Sequence, residues 1–130
     1  MKARKGFTVV ELVFVVALLI TASIIFFVQK NNIQAAAHDQ QRKTAINAMY
    51  YSLEEVYYPL HHSYPQTISS NVLPSVDPNL FTDPSGDKFG TSSSDYSYLP
   101  TNCSNGSCKS YTLRSTMQQE ADYIKTSRHS

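Results

Sequence analysis

The feature that most constrains this chain is an apolar stretch near its N-terminus. Residues 7–28 hold 18 hydrophobic residues in 22 positions, interrupted only by Thr8, Glu11, Thr21 and Ser23. A helix of that length spans about 33 Å at roughly 1.5 Å per residue, which is enough to cross a hydrocarbon core of about 30 Å. In lipid a single segment satisfies its own backbone hydrogen bonds only as a helix. The sequence therefore predicts a transmembrane helix over residues 7–28.

The charge distribution predicts the orientation of this helix. Lys2, Arg4 and Lys5 precede it and account for three of the 11 Lys and Arg residues in the chain. The positive-inside rule then places the N-terminus in the cytoplasm and residues 29–130 outside. The other eight Lys and Arg residues are outnumbered by ten Asp and Glu residues. The rest of the chain therefore lacks the basic charge typical of nucleic-acid-binding domains. We expect a single-pass protein of the inner or cytoplasmic membrane rather than a soluble enzyme.

A carboxylate lies inside the apolar stretch, where a charge normally has a partner. Glu11 follows only four residues of the stretch. The nearest cations, Lys5 and Arg4, precede it by six and seven positions, whereas side chains meet on a helix at spacings of three or four. We therefore predict that Glu11 finds its partner on another molecule.

The N-terminal sequence KGFTVVELVFVVALLI, residues 5–20, resembles the N-terminus of type IV prepilins. The resemblance implies a basic leader, residues 1–6, that prepilin peptidase removes by cutting between Gly6 and Phe7. Phe7 would then be N-methylated, and Glu11 would occupy the fifth mature position. The implied partner of Glu11 is the new amino group of Phe7 on a neighbouring subunit. Many relatives carry Gly and Pro in the second half of this segment. Residues 20–28 have neither, so we expect a more continuous helix here.

The apolar stretch has two other possible interpretations, a cleaved secretory signal and an uncleaved signal anchor. A cleaved secretory signal fits poorly, because the stretch exceeds the usual 7–15 residues and no A-x-A-like site follows Val28. An uncleaved signal anchor fits the topology equally well. The chain would then be a non-polymerising, single-pass membrane-anchored binding domain.

Residues 29–58 predict an amphipathic continuation of the same helix. No helix breaker occurs before Pro59, and good helix formers are plentiful. One helix over residues 7–58 would be about 78 Å long. Its apolar stripe at helical spacing comprises Ile46, Met49, Tyr50, Leu53, Val56 and Tyr57. The polar residues expected mostly off that stripe are Lys30, Asp39, Gln40, Arg42, Lys43, Glu54 and Glu55.

Residues 59–130 predict a small extracytoplasmic head. Residues 59–84 contain five Pro and indicate an irregular loop with one short helical turn, followed by a turn at residues 83–87. Residues 95–99 and 109–114 alternate as strands do, and Asn105-Gly106 favours a tight hairpin turn between them. We expect Cys103 and Cys108 to close the hairpin tip as a disulfide. Residues 120–130 are compatible with a last strand or with a frayed tail. The fold class expected is α+β and pilin-like, one long helix on a small antiparallel sheet.

No motif indicates catalysis or a cofactor, so we expect the chain not to be an enzyme. The two Cys and four His residues show no zinc spacing. Asp83, Asp87 and Asp95 lack EF-hand spacing, and turn capping is their expected role. Nucleic-acid binding stays uncertain, since the candidate basic patch is sparse: Lys88, Lys109, Arg114, Lys125 and Arg128. The tyrosines Tyr96, Tyr98 and Tyr111 are expected to pack along the sheet.

The resemblance implies a structural subunit of a type IV pilus-like filament, a homopolymer formed through the N-terminal helix. Motility by twitching, adhesion or DNA uptake would follow from the filament. The implied partners are other copies of the chain, prepilin peptidase, membrane lipid before assembly and, indirectly, the assembly platform and its motor ATPases. The subunit would end in an extracellular pilus. A minor pilin or a secretion-system pseudopilin is the alternative within the same family.

Overall fold

A computed structural model describes residues 6–129 of the chain. Residues 1–5 of the predicted leader, which comprises residues 1–6, and Ser130 lie outside this range. The chain divides into two compact units, Met1–Gln34 and Ala35–Ser130. Helix α1, Val9–Tyr51, contributes its N-terminal part to the first unit and its C-terminal part to the second.

Helix α1 begins two residues later than predicted because Thr8 caps it. The Thr8 side-chain oxygen accepts a hydrogen bond from the Glu11 N–H at 3.2 Å, and the Thr8 carbonyl accepts one from the Leu12 N–H at 3.0 Å. Threonine is a favoured N-cap because its side chain satisfies an N–H group that has no partner within the helix. The helix is unbroken through residues 20–28, as the absence of Gly and Pro there predicted.

The helical stretch does not stop at Pro59, so the prediction that Pro59 breaks it is wrong. A π-helix, Ser52–Tyr57, follows α1, and helix α2, Tyr58–His61, follows the π-helix. Pro59 lies in the first turn of α2, the part of an α-helix in which proline is tolerated. The stretch ends at His62, whose left-handed φ of 54° closes the last turn while its N–H donates to the Tyr58 carbonyl at 2.7 Å.

Four antiparallel strands form one sheet around a central strand. They are β1 (Tyr64–Pro65), β2 (Tyr96–Ser104), β3 (Ser107–Ser115) and β4 (Tyr123–Thr126). Strand β3 pairs with β2 along one side and with β1 and β4 at different positions on the other. The predicted hairpin is confirmed with longer strands. Strand β4 shows that the C-terminal residues form a strand, and β1 was not predicted.

The hairpin and the loop before it follow from local turn chemistry. Asn105 and Gly106 have φ values of 50° and 81°, and two consecutive positive φ values are what a type I′ hairpin turn requires. Upstream, a single 3-10 helix, Pro78–Phe81, interrupts the loop between β1 and β2, as predicted. The turn at residues 83–87 is also present, with the Asp83 N–H donating to the Asp87 carbonyl at 2.9 Å.

The core of the second unit lies between the C-terminal part of α1, the sheet and the connecting loop. Its buried hydrophobic residues are Ala45, Ile46, Met49, Leu53, Tyr64, Ile68, Leu73, Val76, Phe81, Tyr96, Cys108, Tyr111 and Leu113. The predicted stripe is confirmed at Ile46, Met49 and Leu53, and Tyr50 and Tyr57 are partly buried against the core, but the stripe fails at Val56. Val56 is 42% exposed, whereas Glu54 is buried. The wider turn of a π-helix changes the period of the pattern, so an extrapolation at 3.6 residues per turn misplaces these residues.

Candidate functional site

The predicted processing and assembly residues all lie on open surface in the first unit. Gly6 and Phe7 precede helix α1, and Phe7 is 75% exposed. Glu11 lies in the first turn of α1 and is also exposed. A carboxylate is favourable there because the first helical N–H groups carry partial positive charge. The structure thus leaves Gly6, Phe7 and Glu11 accessible to another molecule.

The Glu11 carboxylate stands out among the polar groups of residues 7–28. Within residues 6–129 no ion pair or side-chain hydrogen bond joins this carboxylate to another group. The Thr21 and Ser23 hydroxyls, by contrast, donate to the Ala17 and Leu19 carbonyls at 2.8 Å. These hydroxyls suit an apolar environment because their hydrogen bonds are made within the helix. Among the polar side chains of residues 7–28, the Glu11 carboxylate is thus the group left without a partner within the described residues.

The surface around Glu11 is apolar over many turns. Every residue from 6 to 34 is exposed in the single chain. The helical stretch Val9–His61 includes a window long and apolar enough to cross a membrane, and none of that window is buried against the rest of the chain. Soluble proteins rarely expose contiguous apolar patches of this extent. By length and composition this segment could span a membrane.

A buried carboxylate that sequence reasoning placed on the surface organises the second unit. Glu54, 4% exposed, accepts hydrogen bonds from the Tyr111 hydroxyl at 2.7 Å, the Tyr64 hydroxyl at 3.0 Å and the Arg128 backbone N–H at 3.0 Å. Burial, and next the hydrogen bond to Glu54, raises the pKa of both tyrosines above the usual 10. Three donors compensate for the removal of this carboxylate from water. Glu54 thereby joins the π-helix to β1, β3 and the C-terminal segment.

The sequence analysis also did not predict a second buried network, which is formed by Asp39, Arg42 and Asp95. The Arg42 guanidinium donates to Asp39 at 3.0 Å and to Asp95 at 2.9 Å. The Asp39 carboxylate also accepts from the backbone N–H groups of Gln118 and Gln119 at 2.8 and 2.9 Å. Burial alone would raise the pKa of Asp39, but these N–H groups and the Arg42 charge outweigh it and lower the pKa below 3.8. The i,i+3 spacing of Asp39 and Arg42 was the only sequence signal for this pair.

The cysteines form the predicted disulfide at the tip of the β2–β3 hairpin. Cys103 lies opposite Cys108 in the strand register, and Cys108 is buried. Asn102 has a φ of 54°, and neither it nor Lys109 opposite it is among the paired residues. The register is the same on both sides, so the ladder is distorted at this position without an extra residue.

Asp83 and Asp95, two of the three aspartates that lack EF-hand calcium-binding spacing, have structural roles. Asp83 accepts hydrogen bonds from the backbone N–H groups of Ser85, Asp87 and Asp95 at 2.8–3.0 Å, which confirms the predicted capping of the turn. Asp95 in turn binds Arg42. Among residues 6–129, no group of three or more His, Cys, Asp and Glu residues is placed to hold a metal ion.

Several basic and aromatic residues of the head bond to or pack against other groups of the head. Two of the five candidate patch cations form ion pairs, Arg114 with Asp122 and Arg128 with Glu55. Tyr96 and Tyr111 are buried, and the Tyr98 hydroxyl donates to the Pro65 carbonyl at 2.6 Å, which confirms that these three tyrosines pack along the sheet.

Comparison of the chain with protein-family models, with curated proteins and with solved structures found no match in any of the three.

Proposed function

We propose that this chain is a structural subunit of a type IV pilus-like filament, cut between Gly6 and Phe7 and polymerised through residues 7–28. The observation that carries the proposal is the Glu11 carboxylate, which has no partner within residues 6–129 and lies in the apolar, exposed segment of residues 7–28. The resemblance of residues 5–20 to prepilins supports it. The proposed role assigns no reaction to the chain itself.

A second copy of the chain would satisfy both requirements of this helix. Its own residues 7–28 would cover the apolar surface, and cleavage would expose an α-amino group on its Phe7 with a reference pKa near 8. A carboxylate left alone in hydrocarbon costs about 2–3 kcal/mol on insertion scales. Pairing Glu11 with that amine leaves neither charge uncompensated. Because breaking a buried pair costs several kcal/mol, the pair would also set the register between subunits.

The proposal includes a membrane stage. The unassembled subunit would be held in the cytoplasmic membrane by residues 7–28, with its N-terminus in the cytoplasm and its head outside. Prepilin peptidase would cut it there, and an assembly platform with its motor ATPases would build the extracellular filament. Twitching, adhesion or DNA uptake would be properties of that filament.

The experiment compares two substitutions in the apolar segment of the full chain. Glu11→Gln removes the charge, whereas Thr21→Val removes a hydroxyl already bonded within the helix. We expect wild type and Thr21→Val in the sheared-filament fraction. We expect Glu11→Gln to remain in the membrane, with its filament fraction reduced about tenfold or more because the amine loses its partner. Immunoblots of both fractions measure this, and N-terminal sequencing should find Phe7 first in all three.

Two results would overturn the proposal. A mature chain that still begins at Met1 would support the membrane-anchored binding domain that does not polymerise. Normal filament yield from Glu11→Gln would remove the role assigned to the charge. If filaments form, a dominant band in the sheared fraction identifies the major subunit. Trace amounts identify a minor pilin or pseudopilin.

A further inference from the structure

A cleft in the second unit suggests a binding activity separate from residues 7–28. It lies between residues 66–68 after β1, the loop of residues 89–92 and the start of β2 at residues 96–98. Its volume is about 430 Å³, within the range of roughly 300–1,000 Å³ typical of small-molecule sites. Nothing in the proposed assembly through the N-terminal helix uses these residues.

Aromatic rings form the apolar part of the cleft. Phe89, Tyr96 and Tyr98 line it. The Phe89 ring centroid lies 6.5 Å from that of Tyr96 and 6.2 Å, edge to face, from that of Phe81. The Tyr98 hydroxyl is held by the Pro65 carbonyl. These rings are fixed before any ligand arrives, which lowers the entropic cost of binding.

Polar side chains surround the rings and are free to bind. Gln66, Thr67 and Ser92 line the cleft and are exposed. None of the three side chains has a hydrogen-bond partner within residues 6–129. One amide and two hydroxyls supply both donors and acceptors. They leave several positions open for hydrogen bonds with a ligand.

The cleft lining has no charged or titratable side chain except the phenol groups of Tyr96 and Tyr98. A phosphate, carboxylate or ammonium ligand would therefore find no counterion there. A wholly apolar ligand would remove the polar rim from water without replacing its hydrogen bonds. A sugar ring fits both parts, because its C–H face packs on aromatic rings while its hydroxyls reach the rim. The other cleft of similar size, about 400 Å³, is lined by Val56, Leu60 and Leu73 among others and offers fewer such groups.

We propose that this cleft binds a neutral saccharide, with Phe89 and Tyr98 against the sugar face and Gln66 and Ser92 bonded to its hydroxyls. The binding would belong to the folded head and would not require polymerisation.

The test uses the full chain in lauryldimethylamine oxide micelles, because common maltoside and glucoside detergents would themselves compete. An array of neutral oligosaccharides identifies binders, and the best soluble one is titrated by isothermal calorimetry. Saturation-transfer NMR should show the strongest transfer to the C–H protons of one ring face. Binding only to charged glycans, or no binding of any neutral sugar at millimolar concentration, would overturn the proposal.

Matched substitutions locate the binding. Gln66→Ala removes an unbonded amide from the rim, and Ser92→Tyr adds a bulky ring to the loop that borders the cleft. Gln41→Ala is the control, an exposed glutamine on α1 outside this cleft. We expect Kd to rise about fivefold for Gln66→Ala, as loss of one hydrogen bond does, and binding to disappear for Ser92→Tyr. Gln41→Ala and all melting temperatures should stay unchanged. Equal affinity in Gln66→Ala, Ser92→Tyr and wild type would place the sugar elsewhere and refute the assignment.

Discussion

Glu54 and Glu55 are adjacent in the chain and meet opposite environments. Glu54 is buried beneath the C-terminal segment with three hydrogen-bond donors, whereas the Glu55 side chain is 58% exposed and pairs with Arg128 at the surface. Replacing a buried, hydrogen-bonded carboxylate by a neutral side chain leaves its donors poorly satisfied. A surface ion pair contributes little, because water and salt screen it.

We therefore expect Glu54→Gln and Glu55→Gln to differ. Glu54→Gln should lower the free energy of unfolding by about 2–3 kcal/mol, since charge-assisted hydrogen bonds are replaced by weaker ones and an amide N–H₂ faces two hydroxyl donors. Glu55→Gln should change it by less than about 1 kcal/mol. Urea unfolding of the full chain in micelles, followed by tyrosine fluorescence, measures both. Equal effects would contradict the role given to Glu54.

Asp39 predicts how the head responds to acid. Its folded-state pKa lies below the value usual for an aspartate, so the folded protein holds this proton less tightly than the unfolded chain does. The stability contributed by the carboxylate is complete above the unfolded pKa and is lost as pH falls through the folded pKa. Between pH 6 and pH 3 the melting temperature of wild type should therefore fall more steeply than that of Asp39→Asn. Asp77→Asn, which removes an exposed carboxylate, serves as the control. Parallel curves for wild type and Asp39→Asn would contradict this.

Among the elements, the β2–β3 hairpin is closed at its tip and protected along its edge. The disulfide joins residues five positions apart. Strand β2 ends the sheet order and carries Pro100 and the positive-φ residue Asn102. Proline lacks an N–H group and a left-handed residue distorts the strand, so both discourage another strand from adding there.

Removing the disulfide should loosen this hairpin and leave the rest of the core in place. The chain-entropy estimate for so small a loop is about 2 kcal/mol. Cys103→Ser with Cys108→Ser should lower the free energy of unfolding by about that amount and raise amide hydrogen exchange at residues 103–108. Exchange in the core around Ile46 and Met49 should stay slow. Unchanged stability, or exchange that rises uniformly through the head, would contradict this prediction.

At the scale of the whole molecule, two units meet the solvent differently. Residues 6–34 bury nothing within the chain, whereas residues 35–129 enclose a hydrophobic core of their own. The second unit is therefore stabilised by its own packing, whereas the apolar side chains of residues 6–34 have no cover within the described residues. An isolated chain in water would leave the apolar side chains of the first unit uncovered.

We expect the unassembled full chain to resist alkaline extraction from membranes and to need detergent for release. Leu18→Lys with Leu19→Lys is the control, because each lysine near the centre of the segment costs about 2.5–3.5 kcal/mol on insertion scales. This double variant should move to the soluble fraction on immunoblots. Wild-type protein in the alkaline supernatant would contradict a transmembrane role for residues 7–28.

Features that depend on neighbouring residues could be predicted from the sequence. The apolar run and the uninterrupted helix follow from composition and from the absence of breakers. The hairpin follows from Asn105-Gly106, and the disulfide from cysteines on either side of that turn. In each case the interacting groups lie within a few positions, so local spacing contains the information.

The tertiary structure alone decided which polar residues are buried. Arg42 and Asp95 are 53 positions apart, Glu54 and Arg128 are 74, and Asp39 and Gln119 are 80. A polar residue on a helix is normally solvated, and only the arrival of distant donors makes its burial tolerable. The sequence by itself therefore determined the membrane-grade helix and the hairpin, through periodicity and turn chemistry. The buried networks and the cleft depended on contacts that form only when remote segments pack together.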